Sequence, residues 1–385
     1  MAILETCKHL GLNGFAAEVY TVQTITPTES ECLDGVPVRR FWGTNPYDWL
    51  QPREKRRDRM LTKARISPGL AWSLLTRRDV DLVHLHLHNK LSTSISLICR
   101  ARRIPYIYTI HSRYDPHNAK PSPCHLLSYE QSIRHAARII AVGCEEYDAL
   151  RRLYPEREAG IALIPNGVNM SLFSSGSGSR FKRDYGISPE ARILLQVGSI
   201  YDCKNQLYSV KLFSKVLERE PNAFLVFIGH VFDTQYYHSL LKQIGLAALE
   251  SRVLLIPGVS PKSRVLIDAY AAAHLLLLPS RSESHPLVLL EAWAAGVPAL
   301  TSNLPSLHAA VIPGITGEFL PSDYDLDVGS DIAASMLRTK ASYSPRLDDV
   351  VAKYSWDAIV SSIIEQYTEV LQDSKKLTDA CRIDL

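Results

Sequence analysis

Short apolar segments alternate with stretches of helical periodicity along most of the 385 residues. The apolar segments that predict strands are 80–87, 105–110, 139–142, 161–164, 193–197, 223–228, 253–256, 274–278 and 299–301. Helical spacing of apolar residues occurs between them at 206–218, 262–272 and 287–295. Alternating strands and helices form parallel sheets that helices cover on both faces. Because there are about twice as many units as one doubly wound sheet needs, we expect two α/β domains in tandem.

A serine- and glycine-rich segment, Ser174–Ser179, has the composition of a flexible linker and marks the expected domain boundary. An ordinary surface loop within one domain is the alternative interpretation. We therefore expect an N-terminal domain over residues 1–173 and a C-terminal domain over 180–355. The amphipathic stretch 356–372 predicts a long helix within a C-terminal segment, 356–385, whose tail frays.

The beginning of the chain departs from the pattern of a doubly wound domain. Such a domain opens with a strand and a glycine-rich turn into its first helix. Here residues 2–12 already have the pattern of a helix, and 17–23 have that of the following strand. We therefore expect the N-terminal domain to lack its first strand.

Composition and charge exclude several classes of protein. The 43 basic and 40 acidic residues give a net charge of +3, which is too balanced to indicate nucleic-acid binding. None of the seven cysteines forms a C-x-x-C pair, which argues against a zinc ribbon or a thioredoxin motif and fits reduced thiols in the cytoplasm. The longest apolar run, 271–278, is far shorter than the ~20 residues that span a bilayer. Glu5 and Lys8 interrupt the first apolar stretch, which is not typical of a signal peptide.

The segment Ser280–Pro298 has the strongest chemical pattern in the chain. Pro286 suits the first position of a helix, where its missing N–H costs nothing. The backbone N–H groups of Leu287 and Val288 then point out of the helix N-terminus, which binds anions with the help of the macrodipole. The pattern predicts an anion site at this helix end.

Two carboxylates flank this expected anion site, Glu283 before the helix and Glu291 about one turn inside it. Carboxylates accept hydrogen bonds from vicinal hydroxyls, so the arrangement suits a ligand with a diphosphate and sugar hydroxyls. A crossover helix with two solvated glutamates is the alternative.

The segment resembles the E-x7-E signature of retaining glycosyltransferases with the GT-B fold, of the family 4 type, usually written E-G-F-G-x-x-x-x-E-A-x-A-x-G-x-P. Glu283, Glu291, Gly296 and Pro298 match, and Ser284, His285 and Pro286 replace Gly-Phe-Gly.

The resemblance implies that Glu291 holds the nucleotide ribose and that Glu283 lies near the donor sugar hydroxyls. It also implies that the backbone of Pro286, Leu287 and Val288 faces the diphosphate and the sugar. Pro286 cannot donate an N–H, so one phosphate contact of the family is lost here.

A second segment, Gln196–Gln206, resembles the family's donor motif V-G-R-x-x-x-x-K. The resemblance places Gly198, Ser199 and Lys204 at the donor phosphates, where a lysine acts as a point charge; an exposed loop lysine is the alternative. Ser199 replaces the family's arginine. Losing that charged contact should cost ~1.5–3 kcal/mol, or roughly ten- to hundredfold in affinity.

Two further segments resemble parts of the same family. Ile256–Ser260 is similar to the loop that contacts the nucleotide base, which implies a backbone role for Val259. Pro165–Phe173 resembles the family's P-N-G-V-D-x-x-x-F segment. Because Asn-Gly suits a turn with positive φ, we interpret this last segment as structural.

Histidines mark the ends of two strands of the N-terminal domain. His111 follows 106–110 at the edge where an open α/β sheet binds ligands, and the resemblance implies that it lies close to the donor sugar. His84, His86 and His88 alternate along another strand and share one face. Such a row could bind zinc or copper, but a buried or cleft-lining role is favoured because no carboxylate cluster accompanies it.

Residues 39–65 contain nine basic and three acidic side chains. The core of this basic cluster is Arg53, Lys55, Arg56, Arg57 and Arg59. Such a cluster can contact an anionic lipid surface or an acidic acceptor, with a solvated helical face as the alternative. We therefore expect a cytoplasmic location, with peripheral contact to the inner face of the membrane as an option.

The resemblance covers about residues 75–372 and implies two Rossmann-like domains facing each other across a cleft, with the last helix returning to the first domain. It implies a hexosyltransferase-type enzyme (EC 2.4) that transfers a sugar from a nucleotide-diphosphate sugar to the hydroxyl of a glycan, a lipid-linked glycan or a small molecule, with retention and with no metal or other cofactor. His111 and Glu283 are the expected catalytic residues.

The missing first strand leaves two alternatives open, a chain that starts downstream of the true start and a degenerate module that binds without turnover. A nucleotide-sugar epimerase fits the E-x7-E pattern less well.

Overall fold

A computed structural model of the chain describes residues 2–23, 29–43, 66–86, 90–111, 130–345 and 352–383. The chain divides into two compact units. Unit 1 comprises Met1–Pro165 and Trp356–Leu385, and unit 2 comprises Asn166–Ser355. The C-terminal helix therefore belongs to unit 1.

The serine–glycine segment 174–179 lies inside unit 2 and does not link the units. Its glycines pack against the backbone of a neighbouring helix, since a Cβ on Gly178 would lie 2.7 Å from the carbonyl oxygen of Ala271. The backbone N–H of Ser177 also donates to Asp268 Oδ1 at 2.8 Å. The small residues that predict a flexible linker serve here to allow close packing, and the boundary falls at Pro165–Asn166 instead of 173–180.

The described part of unit 2 is built around six parallel strands. They are β8 (Arg192–Val197), β9 (Ala223–Gly229), β10 (Val253–Pro257), β11 (Ala273–Leu278), β12 (Ala299–Thr301) and β13 (Gly317–Phe319). Their spatial order is β10-β9-β8-β11-β12-β13, and every neighbouring pair is parallel. This is the order 3-2-1-4-5-6 of a doubly wound sheet.

Helices cover both faces of this sheet. They are α5 (Met170–Ser174), α6 (Gly178–Asp184), α7 (Gln206–Arg219), α8 (Thr234–Leu246), α9 (Arg264–Ala272), α10 (Leu287–Ala294), α11 (Pro305–His308) and α12 (Leu326–Arg338). Successive residues of β8 enter different cores: Ile193 packs with α5, α6, α9 and α10, whereas Leu194 packs with α7, α8 and α12. Burial on both faces explains why the strands of unit 2 are continuously apolar.

The described residues of unit 1 form seven strands in two sheets. They are β1 (Val19–Gln23), β2 (Glu29–Leu33), β3 (Val36–Trp42), β4 (Val83–Leu85), β5 (Tyr106–Ile110), β6 (Arg138–Ala141) and β7 (Ile161–Leu163). Among the described residues one sheet has the order β1-β3-β2 and the other the parallel order β4-β5-β6-β7. The helices include α1 (Ala2–Leu12), α2 (Pro68–Thr76), α3 (Lys90–Ala101), α4 (Cys144–Leu153) and α13 (Trp356–Ile383).

The start of unit 1 follows the sequence prediction, since α1 precedes the first described strand. Leu10 of α1 packs in one apolar cluster with Ile359 and Ile363 of α13. The hairpin of β2 and β3 was not predicted. Its strands are antiparallel and are joined at Asp34 and Gly35, both of which have positive φ, as a tight Asp-Gly hairpin turn requires.

No helix in the described part of the chain is long and apolar enough to cross a membrane. The basic cluster at 53–59 and His88 lie outside the described residues.

Replacing Gly178 by alanine tests the close packing of segment 174–179. We expect the substitution to lower the free energy of unfolding by about 1–3 kcal/mol, because its Cβ overlaps the backbone of α9. Gly245→Ala in α8 is the matched control, since its Cβ meets nothing closer than Glu250 Oε1 at 3.5 Å. Urea denaturation measures both variants, and equal stabilities would contradict the packing role.

Candidate active site

The strand order of unit 2 reverses between β8 and β11. The chain runs outward from β8 through β9 to β10 on one side, and from β11 through β12 to β13 on the other. In open α/β sheets the loops at such a reversal diverge, which leaves a crevice beyond the carboxyl ends of the strands. The loops that follow β8 and β11 contain most of the predicted donor-binding residues.

Close backbone packing shapes the loop after β8. Gly198 has φ of +151°, and its N–H donates to the carbonyl of Ile228 at 2.9 Å. Gly229 of β9 lies so close that a Cβ there would stand 1.9 Å from the carbonyl oxygen of Gly198. Only glycine fits at position 229, and this approach fixes the turn that leads to Ser199 and Lys204.

Side-chain amides hold the backbone of the same loop. The buried Gln196 of β8 donates through Nε2 to the carbonyl of Lys204 at 2.7 Å, and its Oε1 accepts from Ser209 Oγ at 2.6 Å. Gln206, the first residue of α7, donates through Nε2 to the carbonyl of Ser199 at 3.0 Å. These hydrogen bonds hold the backbone of the loop at Ser199 and at Lys204.

Lys204 and Glu283 join the two loops at the strand reversal. Lys204 Nζ lies 2.6 Å from Glu283 Oε1, with side chains that are 19% and 8% exposed. The backbone N–H of Arg281 adds a second link, donating to the carbonyl of Cys203 at 2.8 Å. The two residues that the sequence assigns to donor phosphates and donor sugar are therefore in direct contact.

The N-terminus of α10 begins beside this pair in sequence. Pro286 has an extended backbone, φ −72° and ψ 117°, and is the N-cap rather than the first helical residue. The helix starts at Leu287, so the N–H groups of Leu287 and Val288 belong to its first turn and have no intrahelical acceptor. The loop before it is anchored by Asn166, which donates through Nδ2 to the carbonyl of His285 at 3.1 Å.

His285 stands where the family has phenylalanine, and it behaves as an apolar ring. It packs against Tyr354 with 5.4 Å between ring centroids. Burial and, to a lesser degree, the positive charge of Lys353 lower its pKa to about 4. The ring is therefore neutral near pH 7.

Glu291 lies inside α10, and its carboxylate is buried. Tyr270 of α9 donates its hydroxyl to Glu291 Oε2 at 2.7 Å. Burial raises the pKa of Glu291 to about 7, and the hydrogen bond from Tyr270 opposes that rise. Sequence reasoning missed Tyr270, because nothing in its local pattern shows which side chain its hydroxyl meets.

Val259 follows β10 at the same carboxyl edge of the sheet. It comes after Gly258, which has φ of +74° and donates its N–H to the carbonyl of Gly229 at 3.1 Å. The loops after β8 and β10 thus both contact Gly229 of β9. Their contacts place the backbone at Val259 next to the strand end that also supports Gly198.

His111 lies in unit 1 at the end of β5. Its Nε2 is 3.1 Å from Nδ1 of His86, so one of the two nitrogens carries the shared proton. The ring of His84 packs against that of His86, with centroids 3.9 Å apart and planes tilted by 32°. The two nitrogens of His84 lie 2.6 Å from Tyr367 Oη and from Thr109 Oγ1. Burial lowers the pKa of all three imidazoles.

His84 and His86, the two described members of the histidine row, both have hydrogen-bond partners. Both ring nitrogens of His84 are engaged, and no cluster of three or more His, Cys, Asp or Glu residues that could hold a metal occurs among the described residues. The buried or cleft-lining role of these histidines stays a prediction.

Comparison with known proteins decides the family. Residues 179–340 match the sequence model described as glycosyl transferases group 1, and residues 2–172 match the model described as glycosyltransferase family 4. The chain belongs to the family 4 type of GT-B glycosyltransferases. It is thus an enzyme of the glycosyltransferase class, with two Rossmann-like α/β domains.

Related sequences carry one recurring name. A D-inositol 3-phosphate glycosyltransferase of Kribbella flavida is 28% identical over 86% of this chain and 80% of its own length. The protein of the same name from Nocardiopsis dassonvillei is 26% identical over 99% of this chain and 91% of its own length. The glycosyltransferase described here is therefore similar to these relatives along nearly its whole length.

Solved structures show the same fold. Anabaena HepE, in a complex with UDP and glucose, matches with a TM-score of 0.70 and 17% identity over 87% of each chain. Sucrose-phosphate synthase of Thermosynechococcus elongatus matches with a TM-score of 0.73 and 20% identity over 96% of this chain and 93% of that chain. The GT-B fold of this glycosyltransferase is shown by these matches.

The buried carboxyl of Glu291 predicts a pH-dependent stability. Its pKa of about 7 in the folded state lies above the ordinary 4.5, so the unfolded chain ionises first and the folded state loses stability as the pH rises from 4.5 through 7. Glu291→Gln removes this loss. We expect the variant to gain up to about 3 kcal/mol relative to the parent protein at pH 8 and nothing at pH 4.5. Urea denaturation of the nucleotide-free protein at both pH values measures the difference, and a gain that is independent of pH would contradict the buried carboxyl.

Proposed function

We propose that this enzyme transfers a hexosyl group, with retention of anomeric configuration, from a nucleotide-diphosphate sugar to an acceptor hydroxyl. The observation that carries the proposal is the contact of Lys204 with Glu283 at the strand reversal, next in sequence to the N-terminus of α10. A cation and an anion-binding helix end suit the diphosphate of such a donor. The two carboxylates, Glu283 and Glu291, suit the hydroxyls of its sugar and its ribose.

The proposed roles follow from the chemistry of each group. Lys204 and the N–H groups of Leu287 and Val288 bind the diphosphate and stabilise the charge that develops on it as the sugar departs. Glu291 accepts hydrogen bonds from the ribose, and the backbone at Val259 faces the base. Glu283 contacts the transferred sugar. The family resemblance alone makes His111 of unit 1 a catalytic candidate. The positive groups are those of the chain itself, so we propose that the reaction requires no metal ion.

UDP-glucose is the first donor to test. The Anabaena protein HepE is described in complexes with UDP, with UDP and glucose, and with UDP-glucose. D-inositol 3-phosphate is the first acceptor to test, because the curated relatives are named for it. Ser199 and Pro286 each remove a phosphate contact that the family pattern provides, so we expect weaker donor binding than in relatives that have arginine and glycine there.

The donor site is tested by replacing Glu291. Glu291→Ala should weaken UDP binding about ten- to hundredfold, because a charge-assisted hydrogen bond to the ribose is lost. Lys204→Met should reduce release of UDP from UDP-glucose by a similar factor. Glu250→Ala is the matched control, since Glu250 is exposed just before β10, at the opposite end of the strands. Calorimetry measures binding, and a coupled UDP assay measures turnover.

Three results would count against parts of the proposal. Unchanged UDP binding by Glu291→Ala contradicts the donor-site assignment. UDP binding without turnover on any of a panel of UDP- and GDP-sugars contradicts catalysis and indicates a binding module. A product with inverted configuration in proton NMR contradicts retention.

A further inference from the structure

The hydroxyl of Tyr270 is a buried donor aimed at the carboxylate of Glu291. Tyr270 has no exposed surface, and its hydroxyl lies 2.7 Å from Glu291 Oε2 and 3.4 Å from the carbonyl oxygen of Val288. A hydroxyl has one proton, and the shorter contact to the carboxylate takes it. Tyr270 therefore donates to Glu291, and its hydroxyl lies beside Val288 of the same helix, α10.

The ring of Tyr270 is itself held in place by Phe173. The two rings meet edge to face, with centroids 5.4 Å apart and an angle of 88° between their planes. Phe173 lies on α5, whose N-cap Asn169 accepts a hydrogen bond from the backbone N–H of Leu172 at 3.0 Å. Both rings are closely packed in one core, so the hydroxyl has a fixed position.

A fixed donor sets the orientation of a carboxylate. The terminal torsion of a glutamate side chain is broad and roughly two-fold, so packing alone leaves the carboxylate plane loosely defined. A bond to Oε2 defines that plane and leaves the second oxygen, Oε1, as the acceptor for a ligand. The segment Pro165–Phe173, which the sequence marks as structural, is thereby connected to the donor site.

We propose that Tyr270 is a positioning residue that, braced by Phe173, orients the carboxylate of Glu291 for the vicinal hydroxyls of the donor ribose. This proposal rests on the proposed donor site. It adds that Tyr270, which is held by the core of unit 2, influences the affinity for the nucleotide through Glu291.

Few other titratable groups face Glu291. Helix α5 and strand β12 carry none, and Glu291 is the only one on α10. On α9, Asp268 is paired with Arg180 at 2.6 Å, which leaves Arg264 in the first turn. Tyr270 is thus the titratable side chain in direct contact, so its removal should be visible in the pH dependence of binding.

Tyr270→Phe in the full chain removes one oxygen atom and keeps the ring. We expect the dissociation constant of UDP to rise about tenfold at pH 8, because the carboxylate loses its fixed orientation. Because the hydrogen bond from Tyr270 lowers the pKa of Glu291, we also expect the pH at which UDP affinity reaches half its maximum to move upward. Isothermal titration calorimetry with UDP between pH 5.5 and 9 measures both quantities.

Tyr343→Phe is the matched control. Tyr343 also donates its hydroxyl to a glutamate, Glu318 Oε1 at 3.1 Å, but outside the proposed site. This variant loses a tyrosine–glutamate bond of the same kind, and we expect its UDP affinity and pH profile to equal those of the parent protein. The comparison separates positioning of Glu291 from a general loss of stability.

The outcomes distinguish this proposal from the proposed function. If Glu291→Ala weakens UDP binding while Tyr270→Phe keeps the affinity and pH profile of the parent, the positioning role is wrong and the donor site stands. If Glu291→Ala has no effect, the donor site itself is wrong. If Tyr270→Phe fails to fold, Phe173→Leu is the second test. Because it loosens the packing of the Tyr270 ring, we expect it to weaken UDP binding several-fold. Unchanged UDP binding by this variant would overturn the proposal.

Discussion

The ion pair of Lys204 and Glu283 is the interaction on which the candidate site depends. It joins the loops that follow β8 and β11, at the place where the strand order of unit 2 reverses. When two opposite charges are largely shielded from water, removing either one leaves the other uncompensated, which is costly. The pair therefore holds together two loops that the topology would let diverge, and it keeps a cation and a carboxylate next to a helix N-terminus.

The backbone around the pair is fixed by polar side chains, of which Gln196, Gln206 and Tyr270 are buried. Gln196 and Gln206 bind carbonyls of the first loop, Asn166 binds the second, and Tyr270 binds the carboxylate inside α10. The bonds of the buried side chains satisfy polar groups in a low-dielectric interior, where leaving them unpaired is costly. The site is thus preorganised by the core, which is the condition for electrostatic stabilisation of a developing charge.

The parallel strands and the chemical motifs could be predicted because they depend on local pattern. Continuous apolar runs predicted the strands of unit 2, and the spacing of Glu283 and Glu291 predicted their relation to a helix end. The hairpin at Asp34–Gly35 was missed, since its first strand is almost wholly exposed and has no apolar run. The segment 174–179 was misinterpreted because small residues permit close packing as well as flexibility. Tyr270 could not be predicted at all, because its partner is set by tertiary packing.

A crystal structure of the full chain with bound UDP-glucose would show whether the donor occupies the site between Lys204 and the N-terminus of α10. We expect the diphosphate between Lys204 and the N–H groups of Leu287 and Val288, with the ribose hydroxyls on Oε1 of Glu291. We also expect the contact between Lys204 and Glu283 to lengthen as the ammonium turns to phosphate. A donor bound elsewhere, with this ion pair and the first turn of α10 untouched, would contradict the account.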